Sequence, residues 1–316
     1  MRRLVPIAFV VLALFLALSY FRPGGAVRDA TVTIPSGASL SSAASQLEAA
    51  GAVRSAQMFL AEARMLGASV PIKPGEYRIR AGMTNGQVLA LLQSGKVLQR
   101  LVTIPEGMPS VLVHERLMAV PLLTGDIPVP PEGSVLPDTY AYSRGEARSA
   151  VLARMQKAMQ TALANAWANR KPTAAVTSPE EALVLASIIE KETGRPEERR
   201  LVAAVYSNRL KRGMQLQADP TVIYPVTKGR PLGRRILRSE LDSDNPYNTY
   251  RRRGLPPGPI ANPGKASILA ALDPAPSNAL YFVAQADGSS AFADTLDQHN
   301  ANVQAWYAHR RAKGEM

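Results

Sequence analysis

The chain contains no cysteine. Disulfides, thiolate metal sites, a cysteine nucleophile and a cysteine-borne lipid anchor are therefore excluded together. Histidine is scarce too, and His114, His299 and His309 are too scattered to suggest a metal site. Acidic residues are few beside basic ones, 25 against 37, which leaves a formal charge of +12. Such a balance suits nucleic acid, an anionic membrane surface or an anionic polymer. No nucleic-acid recognition motif occurs, and the basic residues are spread along the chain. Long apolar runs are missing except for one at the N-terminus. The rest has ordinary globular composition, 46% hydrophobic and 20% charged, and 316 residues suffice for two modest domains plus appendages.

The one long run extends from Leu4 to Phe21, between Met1-Arg2-Arg3 and Arg22-Pro23-Gly24-Gly25. At ~1.5 Å per residue it measures roughly 27 Å, near the thickness of a bilayer core. A cleaved signal peptide would end in small residues, whereas Ser19-Tyr20-Phe21-Arg22 stands there. We therefore expect an uncleaved transmembrane helix over 4–21, with 1–3 cytoplasmic and 22–29 a juxtamembrane linker. Arg2 and Arg3 compete with Arg22 and Arg28 for the cytoplasmic side. An N-terminus-in topology puts all that follows outside the cytoplasm.

From Ala30 the pattern turns globular and α+β. Strands are expected over 31–35, 75–80 and 97–105, with helices over 40–50, 57–66, 84–92 and 110–120. Thr84 and Gln87 form a capping-box pair. VTIPSG at Val32 recurs as VTIPEG at Val102, which reads either as two related α+β units or as two similar strand-to-turn transitions. These elements make an N-terminal α+β region over 30–121. A Pro- and Gly-rich connecting segment follows over 122–145. A C-terminal α+β domain over 146–316 opens with a long amphipathic helix carrying Val151, Leu152, Met155, Met159, Leu163 and Trp167.

The densest stretch runs from Ser178 to Pro225. Ser178, Pro179 and Glu181 spell a helix start, and Ala182, Leu185, Ala186, Ile188 and Ile189 form a broad apolar stripe. Gly194 and Pro196 end this helix, and a second one stops at Gly213. Glu190 directly follows the stripe. It reads either as an ion-paired residue, with Arg195, Arg199 and Arg200 near, or as a carboxyl at the lip of an apolar pocket. Desolvation there raises a carboxyl from about 4.3 towards neutrality and makes it a general acid. Glu192 lies two positions on, about 200° round the helix, where capping or ion pairing is the expected role.

IIEKETGRPEERRLVAAVYSNRLKRGMQLQADPTVIY resembles the signature of the endolytic murein transglycosylases, the YceG-like family. NPYNTYRRRGLPPGPIANPG from Asn245, the run Leu280–Ala284, Phe292, Thr295 and His299-Asn300 extend the likeness. The resemblance implies a membrane-anchored enzyme that cleaves nascent glycan strands and leaves 1,6-anhydro-N-acetylmuramoyl ends. It implies Glu190 as catalytic acid/base, and Gln217, Asp219, Tyr247, Asn248 and Tyr250 as groups that bind sugar or orient that carboxyl. It further implies a LysM-like subdomain in the N-terminal region, no cofactor or metal, and an inner-membrane location with a periplasmic body. Peptidoglycan strands are the implied partner, with a cell-wall synthase nearby and no nucleic acid. Ala218 and Ala291 depart from the family, which usually has a small hydroxyl residue at the first position and often a histidine at the second. A two-carboxylate muramidase using Glu190 with Asp219, and a non-catalytic glycan-binding scaffold, remain rival readings.

Overall fold

The computed structural model describes residues 25–66 and 70–314. The expected transmembrane segment, 4–21, lies outside the described residues. Among those described, no helix is long and apolar enough to cross a membrane. The chain divides into two compact units. One comprises the described residues up to Leu101 together with Ala141–Glu146, the other Val102–Tyr140 together with 147 onwards. The border expected near 121 thus falls inside the second unit.

In the first unit β1 (Ala30–Ile34) pairs antiparallel with β2 (Gly75–Ile79), in a register that sets Val32 opposite Tyr77. Between them in sequence lie α1 (Leu40–Ala49) and α2 (Ala56–Met65), and α3 (Asn85–Ser94) follows. Serines start the first two helices: Ser39 and Ser55 accept N–H bonds from Ser42 and Met58. Thr84 and Gln87 close the capping box expected of them. One apolar core, built on Val32, Ile34, Leu47, Phe59, Tyr77, Ile79 and Leu92, joins these elements. The buried Tyr77 hydroxyl donates to Lys73 O and lies within bonding distance of Leu92 O, so its burial leaves no orphan group. Glu76 is buried between Arg100 and Arg144. The Arg100 hydrogen bond, with both positive charges, holds its carboxyl below the usual range. This pairing ties 141–146 to residues far earlier in the chain.

The chain leaves that unit through β3 (Arg100–Thr103) and re-enters it through β4 (Thr139–Tyr142), which form a two-stranded sheet. The second unit adds α4 (Ser110–Met118), α5 (Arg148–Ala168), α6 (Pro179–Glu192), α7 (Arg199–Lys211), α8 (Asp219–Thr227), α9 (Arg238–Leu241) and α10 (Lys265–Leu272). A hairpin of β5 (Tyr281–Ala284) and β6 (Ser290–Ala293) and the terminal α11 (Leu296–Ala312) complete it. Helix α6 is central, packed against α5, α7, α8 and α10. Ala182, Leu185, Ala186, Ile188 and Ile189 are fully buried in this core, as their spacing required. Ser178 caps the Glu181 N–H at 3.1 Å, but the Glu181 carboxylate turns outward to the Thr177 N–H and hydroxyl. Only half of the anticipated capping box forms.

The proline-rich stretch before α10 is pinned by Asn262, which is fully buried. Its amide donates to Met108 O at 2.9 Å and Ser110 Oγ at 3.0 Å, and its Oδ1 accepts from Val135 N–H at 2.9 Å. One side chain therefore fastens the segment over 102–140 to the helical core. Gly264 follows with no room to spare, since a Cβ there would stand 1.9 Å from Glu106 Oε1.

Candidate active site

Helix α6 ends with two carboxylates that face different surroundings. Glu190 Oε2 accepts from Gly264 N–H at 2.9 Å, and Oε1 lies 4.0 Å from the Arg199 guanidinium. Its methylene lies against Gly107, where a Cβ would come within 3.3 Å of Cγ. Both oxygens face protein donors, so the side chain braces α6 against the Gly264 loop. These contacts match the ion-pair reading of this residue.

Glu192 lines a polar pocket of about 310 Å³ with Tyr206, Arg209, Leu216, Gln217, Asp219, Tyr250, Phe282 and His299. Its Oε1 is shut off from solvent and accepts no hydrogen bond. Burial, helped by the negative charge of Asp219, pushes the carboxyl up to about 7, while the Tyr206 hydroxyl and the Arg209 charge oppose the shift. The capping or ion-pair role expected for Glu192 is thus corrected. Leu185, Ile188, Ile189 and Glu192 stand at i, i+3, i+4 and i+7, so Glu192 continues the buried stripe while Glu190 leaves it. That spacing was readable in the sequence and pointed to the second carboxylate.

The rest of the pocket is held by a compact hydrogen-bonded frame. Gln217 has φ of 52°, a left-handed conformation that costs a non-glycine residue about 1 kcal/mol or more. Thr249 holds it there: its carbonyl accepts from Gln217 N–H at 3.1 Å, and its hydroxyl from Ala218 N–H at 3.0 Å. The hydroxyl of Thr249 also meets that of Thr221 at 2.8 Å, so the buried Ala218 turn is braced without a hydroxyl of its own. Asp219 opens α8, where a helix N-terminus favours an anion, and its Oδ1 accepts from the Tyr250 hydroxyl at 2.6 Å. Burial and this carboxylate raise the Tyr250 phenol.

Buried Arg209 donates to Leu280 O at 2.7 Å and Leu216 O at 2.8 Å, and its guanidinium lies 5.2 Å from the centroid of the Tyr281 ring. It stitches the hairpin to the Leu216 loop. His299 stacks on Tyr281 with ring centroids 5.1 Å apart, and burial with the Arg209 charge lowers its pKa. Its Nδ1 is buried and unpartnered.

Of the six residues expected at the site, Gln217, Asp219 and Tyr250 meet in this pocket. Asn248 does not line it: it is 1% exposed, donates to Leu241 O and Ser243 O, and accepts from Tyr250 N–H. It shapes the loop that presents Tyr250. Tyr247 is likewise outside the pocket, packed on Tyr224 with ring centroids 5.0 Å apart. Tyr206, Arg209 and His299 were not anticipated, because only the folding of α7 and α11 against β5 brings them together. Across α8 lies a larger, apolar groove of about 410 Å³, lined by Met108, Pro109, Leu112, Pro220, Ile223 and Tyr224 among others. Among the described residues it contains no buried polar side-chain atom lacking a partner, whereas the smaller pocket contains Glu192 Oε1 and His299 Nδ1.

Residues 32–305 match the family model described as the YceG-like family. The chain belongs to this family. Ala291, the second departure from its pattern, lies in β6 opposite Val283. A crystal structure of a yceG-like protein from Listeria monocytogenes aligns with a TM-score of 0.54 and 29% identity, over 87% of this chain and 98% of that one. A protein of Bacillus subtilis named endolytic murein transglycosylase is 30% identical over 89% of this chain and 86% of its own length. A Streptococcus pneumoniae protein of the same name is 27% identical over 86% of this chain. The alignment spans only 57% of that longer relative.

Proposed function

We propose that this YceG-like protein is an endolytic peptidoglycan lytic transglycosylase and that Glu192, rather than Glu190, is its general acid and base. The observation that carries the reading is one carboxyl, buried without a hydrogen bond at Oε1 and held near neutrality, in a polar pocket. The names of the family's Bacillus and Streptococcus relatives support the same substrate class.

A group titrating near 7 is protonated often enough to donate and basic enough to accept afterwards. Glu192 first protonates the departing glycosidic oxygen as the bond to the muramoyl anomeric carbon breaks. As a carboxylate it then takes the proton from that sugar's own 6-hydroxyl, which closes on the anomeric carbon to form the 1,6-anhydro ring. No water enters, so one carboxyl serves both transfers, whereas most glycosidases use two. Burial favours the protonated form of Glu192, the charge of Asp219 adds to it, and Tyr250 fixes Asp219. Acid–base help contributes on the order of a hundred- to ten-thousandfold, and positioning by the pocket supplies further acceleration.

Anchoring by 4–21 in the inner membrane, with a periplasmic body next to a cell-wall synthase, would bring this site to newly made strands and end their elongation. The β–α–α–β order of the first unit is compatible with a LysM-like glycan-binding role. A muramidase remains the second reading, because Asp219 puts another carboxylate in the same pocket. The decisive experiment incubates the soluble body, from about Arg28, with purified peptidoglycan and identifies new sugar ends by mass spectrometry. Anhydro ends that vanish with Glu192→Gln and persist with Glu190→Gln are expected. Reducing ends, or loss of cleavage only with Glu190→Gln, would overturn the assignment.

A further inference from the structure

Two buried side-chain atoms of the pocket have no hydrogen-bond partner, Glu192 Oε1 and His299 Nδ1. Leaving a polar atom buried and unpaired costs about 1–3 kcal/mol, so folded proteins seldom keep two in one cavity without a use for them. Proton transfer accounts for the first. The second is held with equal care. Thr295 and Gln298 close a capping box at the start of α11, and His299 N–H bonds Thr295 O at 3.1 Å, which sets the imidazole in the helix's first turn. Its face is fixed by the stack on Tyr281, and Tyr281 in turn lies beside the immobilised Arg209. The ring is therefore preorganised in a residue that lines the pocket, with Nδ1 buried and nothing among the described residues to bond it.

We infer that His299 is a substrate-contacting residue, its Nδ1 hydrogen-bonded to a hydroxyl or acetamido group of the sugar chain in the pocket. The inference rests on the glycan-cleaving reading above and extends it to a second helix lining the same pocket. Hydroxyl and acetamido groups each offer both a donor and an acceptor, so either tautomer of a neutral imidazole finds its complement. Arg209 commits Nε and Nη1 to the carbonyls of Leu280 and Leu216, which fix it as part of the pocket's frame.

Two substitutions separate sugar contact from ring stacking. His299→Phe keeps a ring to lie on Tyr281 and loses Nδ1. His299→Asn loses the ring and keeps a polar atom bonded to Cγ, where Nδ1 was. Sugar contact predicts that His299→Phe lowers kcat/KM on purified glycan strands roughly tenfold, the effect of one hydrogen bond, while His299→Asn stays within about threefold of wild type. A stacking role predicts the reverse order and would overturn the inference, as would two variants of unchanged activity. Strand binding is also measured in the inactive Glu192→Gln background, with thermal melting as a check on folding. Weaker binding on adding His299→Phe, with melting unchanged, supports the contact, and equal binding refutes it. Full activity of Glu192→Gln itself would instead refute the general-acid assignment, and the binding comparison with His299→Phe would still decide whether His299 touches glycan.

Discussion

Consider Glu192→Gln as a perturbation of stability rather than of catalysis. The substitution keeps the side chain's size and removes its ionisation. In the unfolded chain the carboxyl titrates near its ordinary 4.5, and in the pocket near 7. Between these values the folded protein holds a proton that the unfolded chain has lost, so stability falls as pH rises through the interval. Below 4.5 both states are protonated and no penalty exists. Above 7 both are ionised and the penalty is complete, on the order of 3 kcal/mol at about 1.4 kcal/mol per pH unit. Glutamine carries no charge to bury at any pH. The variant should therefore melt close to wild type at pH 4.5 and several degrees above it at pH 8. Thermal unfolding followed by circular dichroism across that range tests this directly. Glu190→Gln is the control: it weakens the charged acceptor of Gly264 N–H and should lower stability by about 1 kcal/mol. An offset for Glu192→Gln that is independent of pH, or a variant less stable than wild type at pH 8, would refute the buried, proton-holding carboxyl.

Other outcomes follow from the same pocket. Asp219→Asn removes the charge that helps raise Glu192, so the alkaline limb of the kcat/KM profile should move to lower pH; an unmoved limb would separate the two carboxylates. Gln217→Gly relieves a left-handed residue and should stabilise the fold by about 0.5–1 kcal/mol in urea unfolding, while glycan cleavage falls because a pocket side chain is lost.

The helices were legible because their signals are local: the Ser178 cap, the α6 stripe and the Thr84–Gln87 box each act within a few residues. The polar pocket was only half legible. Gln217, Asp219 and Tyr250 sit in motifs dense enough to attract notice, but Tyr206 and Arg209 on α7 and His299 on α11 are joined by long-range packing. Glu190 and Glu192 differ in which one continues the apolar stripe, a matter of about 200° of helix rotation. Asn248 was ambiguous for another reason. Its side-chain amide could equally serve a sugar or a loop, and only the carbonyls of Leu241 and Ser243 show which it serves.

Asn262 also governs how the chain can be cut and in what order it can assemble. Its partners Met108, Ser110 and Val135 precede it by well over a hundred residues, so the second unit closes only when distant parts of the chain have met. Leu136, brought in with that segment, is part of the core around α6. A fragment starting at 146 would expose this core and leave the Asn262 amide without those partners, whereas one starting at Val102 keeps both. The stretch that reads as a connector in the primary structure is, for packing, a wall of the second unit.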